Sequence, residues 1–395
     1  MRRRRTFLAA VGAGLATAIA GCGYQAGAGD LAWDGRGARG STVTPSRSDR
    51  TWLADGESLF GVLNQSGRTH DFETGQWHEF SNVHVSVYDD AGDRRWRAET
   101  DDRQYQADGE PAVAAGSAYL PLEGGIVAAV GPDSEGDDGG EDGDGSEGNG
   151  GEVRWTAEVG EPDLRLAASG RLVVAAGEGA VHGFDPDDGE TLFAIGVGAD
   201  VPGVAVDGDR AWARVGGTES RLLALDTDGR RATAALPDGV RWLETAAGRA
   251  FVGPVDDGLT WGFDGGGERV VDPEVGGVAG DRPLVGGDRL YHVGRGELLA
   301  VDARSGERVW RRERSLPDER VATPDGLYAH GSLPDADGCG LVAIDADGEK
   351  RWSASVPDEP GCSGGLFALG DRLVVADDVR LYGFHARRGS RRSVV

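Results

Sequence analysis

The chain has 395 residues and a formal net charge of −26, from 41 Lys+Arg against 67 Asp+Glu. Phosphate recognition needs a positive surface, so this balance excludes a basic nucleic-acid binder. Gly supplies 67 residues and Pro 16, about 21% together, short of the ~25–30% of a fully disordered chain, which fits many turns between short strands.

Arg2 to Arg5 form a charged start, and Thr6 to Ala20 form an apolar stretch. That stretch is shorter than the ~20 residues a spanning helix needs, so it reads as an export signal. Arg4-Arg5-Thr6-Phe7-Leu8 resembles a twin-arginine export motif, and Ile19-Ala20-Gly21-Cys22 resembles a lipobox. These resemblances imply a signal peptide over 1–21, export of an already folded chain, and a lipid on the thiol of Cys22. Residues 22–50 carry few large apolar groups and read as a flexible tether. No second hydrophobic stretch follows, so residues 51–395 are expected to fold outside the membrane.

The first part of that region concentrates His70, Asp71, Glu73, His78, Glu79 and His84 beside Phe72, Trp77 and Phe80. Imidazoles with carboxylates suit Zn²⁺ or another transition metal, but the spacing matches no closed zinc motif. An extended hairpin with exposed aromatics is the preferred reading, giving His70, Trp77, His78 and His84 as a partner or metal surface. Residues 132–152 follow as an acidic insertion among glycines without a base. Repelling carboxylates cannot bury a core, so this segment is expected to be disordered.

One pattern recurs along the whole chain: apolar, small, apolar, Asp, a short turn, Gly, three residues, and a large apolar residue. It reads Val87-Tyr88-Asp89 with Gly92 and Trp96; then Ala128-Ala129-Val130-Gly131, with Gly151 and Trp155 displaced by the insertion. Next come Asp185 with Gly189 and Phe193, Asp226 with Gly229 and Thr233, and Asp264 with Gly267 and Val271. The strongest copies are Leu299-Ala300-Val301-Asp302 with Gly306 and Trp310, and Val342-Ala343-Ile344-Asp345 with Gly348 and Trp352. Tyr382-Gly383-Phe384-His385 with Gly389 and Ser393 ends the series. A period near 40 built from strand-and-turn units predicts an all-β propeller with four-stranded antiparallel blades. The Asp is expected to bond turn amides, the Gly to supply positive φ, and the small residue to make room for a neighbouring blade's aromatic ring.

These motifs resemble the tryptophan-docking repeats of the pyrroloquinoline-quinone-like (quinoprotein) family, over roughly residues 50–395. The resemblance implies an eight-bladed ring; a seven-bladed WD40-type ring is the alternative count. The acidic, nearly Lys-free composition resembles that of extreme halophiles, where carboxylates keep a chain soluble. Quinone-dependent members use adjacent cysteines and clustered metal ligands. Here Cys22, Cys339 and Cys362 are far apart, and no nucleophile elbow, Walker loop or dinucleotide fingerprint occurs. The expectation is therefore no cofactor and no catalytic residue. The chain reads as a lipid-anchored scaffold with a monomeric ectodomain and an envelope protein as its partner, for which the family's barrel-assembly lipoprotein is a precedent. Alternatives are a quinone- or metal-dependent oxidoreductase, and a receptor for a small ligand or sugar. Cys339 and Cys362 are expected to form a disulfide across two loops of one propeller face. Arg387, Arg388, Arg391 and Arg392 could touch anionic lipid headgroups, but the preferred reading is a polar last strand or frayed end.

Overall fold

The computed structural model describes residues 29–36, 45–70, 76–100, 109–133, 150–217, 219–255, 259–271, 282–294, 296–333, 338–356, 362, 364–377 and 380–387. The expected signal peptide, Cys22, residues 134–149 of the acidic insertion and Arg388, Arg391 and Arg392 lie outside them, as does the side chain of His70.

The described residues form eight four-stranded antiparallel sheets, so the chain is an eight-bladed β-propeller and not a seven-bladed one. Blade 1 consists of β2 (Pro45–Ala54), β3 (Leu59–His70), β4 (Trp77–Tyr88) and β5 (Arg94–Glu99). Blades 2 to 7 follow in order over 112–158, 165–196, 203–235, 242–271, 284–313 and 319–355. Blade 8 takes three strands, Gly365–Leu369, Arg372–Ala376 and Arg380–His385, from the end of the chain. Its fourth strand is β1 (Leu31–Arg36), which pairs with Arg380–His385.

The tether reading of 22–50 is thus corrected. Residues 31–36 are the outer strand of the closing blade, and 45–50 begin the inner strand of blade 1. The boundaries of the acidic insertion also contract, because Pro132 pairs with Gly151 and Glu152 with Gly131 in the ladder of blade 2.

The third strands show why the chain stacks this way. In Glu297–Asp302, Leu298 and Ala300 pack into a cluster shared with blade 7, and Leu299 and Val301 into one shared with blade 5. Both faces of the strand are buried between neighbouring sheets. Its sequence is accordingly a continuous apolar run instead of an alternation.

Each repeat Asp ends a third strand and closes the following turn. Asp302 Oδ1 accepts from the amides of Arg304 and Ser305 at 2.9 and 2.8 Å. Asp345 accepts from Asp347 and Glu349 at 3.0 and 2.9 Å. Asp89, Asp185, Asp226 and Asp264 accept turn amides in the same way.

The outer tryptophans join blades. Trp310 Nε1 donates to Ala346 O at 2.7 Å, Trp352 to Ala386 O at 3.2 Å, and Trp155 to Pro186 O at 3.0 Å. In each case the acceptor is the residue just after the repeat Asp, or its His385 equivalent, in the next blade. Gly348 shows why Gly is needed there. Its φ is +82°, and an added Cβ would sit 2.8 Å from the Trp310 ring. Trp96 is buried and lies against Gly151 of blade 2.

The role expected for the small residue is corrected. Ala300 pairs with both Tyr291 and Trp310 of its own blade, so the two rings meet across it with centroids 6.0 Å apart. Ala343 does the same for Tyr328 and Trp352 at 6.2 Å. The cleared space serves the blade's own rings, because directly paired residues on adjacent strands project to one face.

The closing blade obeys the same rule with residues from the other terminus. Trp33 pairs with Gly383, and its Nε1 donates to Asp90 O at 2.8 Å. Gly92 at φ +83° leaves room for its ring. Gly29 lies against Trp352 as the turn glycine of blade 8. Gly29 and Trp33 therefore fill the places that the sequence reading gave to Gly389 and Ser393, both outside the described residues. Arg387 belongs to the ring itself, with its guanidinium 3.4 Å from Asp371 and bonded to Asp325 at 2.5 Å.

Candidate functional site

Strands β3 and β4 are 12 residues each, while the second and third strands of the other blades have four to seven. They stay paired from Leu59↔Tyr88 to His70↔Trp77, but β5 accompanies β4 only as far as His84↔Glu99. The extension therefore runs about 20 Å past the end of β5, at ~3.3 Å per residue; β2 accompanies β3 as far as Pro45↔Gly67, so only the tip beyond Gly67 is two-stranded. Trp77 near its tip is 66% exposed. Arg68 and Glu79 pair across the hairpin at 2.9 Å.

His78 and His84 are not brought together. His78 is exposed near the tip, whereas His84 is buried, with Nδ1 3.2 Å from both Glu99 Oε2 and Arg97 Nη2. Six residues of extended strand separate them, roughly 20 Å. A surface made of all four residues is corrected on this ground: His84 is part of the blade's interior, and the candidate surface reduces to the projecting tip. Among the described residues no group of three or more His, Cys, Asp or Glu is placed to hold a metal ion.

The inner strands surround the channel. On the face carrying the Asp turns, a cavity of about 590 Å³ opens between blades 7, 8 and 1. Trp52, Leu53, Val321 and Phe367 supply apolar walls, with Asp325, Arg372 and Arg387 at the rim. The carboxylate of Asp325 is already bonded by Arg387.

The opposite face carries the loops between blades, the β3–β4 hairpin and the disulfide. Cys339 starts the third strand of blade 7 and is bridged to Cys362, before blade 8, with Cα atoms 5.1 Å apart. A second cavity, about 370 Å³, lies at the channel mouth on this face. Arg165, Arg214, Arg241 and Arg282 line it from blades 3 to 6. The sequence reading missed these arginines. A signal was present, since Arg165 begins an inner strand and Arg241 and Arg282 stand one and two residues before one.

Residues 238–382 match the PQQ_2 family model, described as outer membrane protein assembly factor BamB. Those residues contain blades 5 to 7 and most of blade 8, among them the strong repeat copies of blades 6 and 7. No curated protein sequence matches the chain. Among solved structures, Sqt1 of Saccharomyces cerevisiae is similar at 13% identity, over 82% of this chain and 93% of that one, with a TM-score of 0.52. BamB of Moraxella catarrhalis is 16% identical over 86% of this chain and 99% of its own, at a TM-score of 0.49. At these identities the likeness to Sqt1 shows the propeller fold alone.

Proposed function

We propose that this chain is a non-catalytic binding scaffold of the cell envelope, held to the membrane through a lipid on Cys22 and engaging an envelope protein through the blade 1 hairpin. The observation that carries this reading is the hairpin. It outruns its blade's fourth strand and places an exposed Trp near its tip, and exposed aromatics are enriched where proteins dock. The PQQ_2 match over 238–382, whose description is an assembly factor, supports the scaffold role. The order of twin-arginine pair and lipobox supports export and anchoring.

A photocrosslinking residue at position 77 of the full chain in intact cells should give a discrete crosslinked protein. The same residue at Arg231, an exposed outer-strand position of blade 4, should not give it. Identical patterns from the two positions, or none from position 77, reject the hairpin as the docking element. Cys22→Ser should release the protein from membranes; unchanged fractionation rejects the anchor.

A further inference from the structure

We infer that the channel mouth on the hairpin face is a binding site for a small oxyanion, a phosphate or carboxylate compound, held by Arg165, Arg214 and Arg241. The site is distinct from the hairpin and does not depend on the scaffold reading.

With 67 Asp+Glu against 41 Lys+Arg, carboxylates are plentiful, and some arginines pair with them: Arg68 with Glu79, Arg304 with Asp288, Arg312 with Glu349. At the mouth only Arg282 does so, pairing with Glu244, whose carboxyl is pushed up by burial against the pull of Arg282. Among the described residues Arg165, Arg214 and Arg241 make no ion pair.

Arg214 is the centre of the site. Its Nη1 donates to Val240 O at 2.8 Å, and its Nη2 reaches Pro202 O at 3.5 Å and Arg241 O at 3.3 Å. These three backbone carbonyls fix the plane of the guanidinium. Its Nε is buried with no hydrogen-bond partner, and an unsatisfied buried donor is costly to leave unmade. Burial, followed by the charge of Arg165, lowers the Arg214 pKa from its ordinary value, while Asp200 acts in the opposite direction. Arg165 thus acts on Arg214 as a like charge across the cavity both line, and an anion in that cavity would relieve the repulsion. Glu110 also lines the cavity and opposes an anion, yet the arginines outnumber it.

The ligand class follows from this chemistry. Guanidinium groups donate in a planar fork that matches carboxylate and phosphate oxygens. A volume of about 370 Å³ is at the small end of ligand pockets. In a strongly acidic protein, such a mouth is also where the field would admit an anion.

The test uses the folded chain with inorganic phosphate and citrate as probes, at constant ionic strength set with sodium chloride. Calorimetric titration should show saturable binding of at least one probe. Arg165→Gln and Arg241→Gln, both at exposed positions, should each weaken it by about tenfold or more, the scale of losing a charge-assisted hydrogen bond, with the melting temperature unchanged. Arg231→Gln on blade 4 should leave affinity as it was. Phosphate alone binding would assign the site to phosphate compounds, and citrate alone to carboxylates. No saturable binding of either probe, or equal binding by the parent and both mouth variants, overturns the proposal. A scaffold that fails to crosslink through position 77 but binds anions in this way would reject the hairpin reading only.

Discussion

Blades 4 and 5 close their outer hairpins with the same Asp turns as blades 6 and 7, yet they meet their neighbours differently. In blades 6 and 7 the outer Trp310 and Trp352 donate their indole N–H to a carbonyl of the next blade. In blades 4 and 5 the residues facing the same third-strand position are Ala232 and Val271, and the indoles have moved to other strands as Trp212, Trp242 and Trp261. Their Nε1 atoms are buried and unpartnered. Where blade 5 meets blade 6, Trp242 lies 6.4 Å from His292, whose two ring nitrogens are also buried without partners. One set of joints is therefore directional and satisfied. The other leaves its indole donors orphaned and is bonded through other groups, Arg214 to Val240 O, Gly248 N to Asp207 and Arg249 to Ala303 O. The hairpin needs only local turn chemistry, whereas the joint needs a particular side chain to reach across sheets.

The comparison can be broken most directly at Trp310. Trp310→Ala should cost about 3–5 kcal/mol, the usual loss for a buried Trp, read by denaturant unfolding. Val271→Ala, at the matching place in blade 5, should cost less than half as much. Equal losses would mean that the Trp joint carries no special share.

The joint between blades 7 and 8 is also tied covalently. Cys339→Ser should cost about 3 kcal/mol in the chain-entropy picture for a closed loop of 23 residues. An unchanged melting temperature for this variant, or two titratable thiols in the unreduced parent, would show that the bridge does not form.

Acid should open the orphaned joint first. Burial lowers the pKa of His292 from 6.5 to about 4. The unfolded chain therefore binds a proton that the folded chain refuses over this interval, and stability present above pH 6.5 falls as pH drops toward 4, by about 3 kcal/mol at most. His292→Phe should flatten that part of the stability profile. If the parent and variant lose stability in parallel over this range, His292 is not the sensitive group.

The smallest effects should be common to both regions. Asp302→Ala in blade 6 and Asp264→Ala in blade 5 should each cost about 1–3 kcal/mol, because both leave turn amides unsatisfied. A markedly smaller loss at Asp264 would mean that the hairpin depends on the Trp joint after all.

The repeat was legible because its chemistry is local. Asp to turn amide, Gly at positive φ and the following aromatic all lie within a few residues, so the repeat copies could be read in one dimension, while the choice of eight blades over seven came from the structure. The small residue was legible as a type but misread in role, since the pairing of Ala300 with Tyr291 and Trp310 requires the register of three strands. Gly29 and Trp33 carry the repeat's own Gly-to-Trp spacing. They were passed over because no Asp precedes them: that end of the hairpin is His385, at the other end of the chain. The crowding of His78 and His84 in sequence misled for the opposite reason. An extended strand carries residues six apart roughly 20 Å from each other, so sequence proximity there was not spatial proximity.

By itself the sequence determined the blade: its strand pattern, its Asp turns, its outer tryptophans and their period. It also carries the features that read as an export address. Only the tertiary structure decided how the ring closes, which blades are joined through an outer indole, that the first hairpin outruns its fourth strand, and that arginines from four blades meet at one mouth. The division follows range. Turn and strand preferences act between residues a few positions apart. Closure and the arginine mouth depend on residues that become neighbours only once the blades have stacked around a common axis.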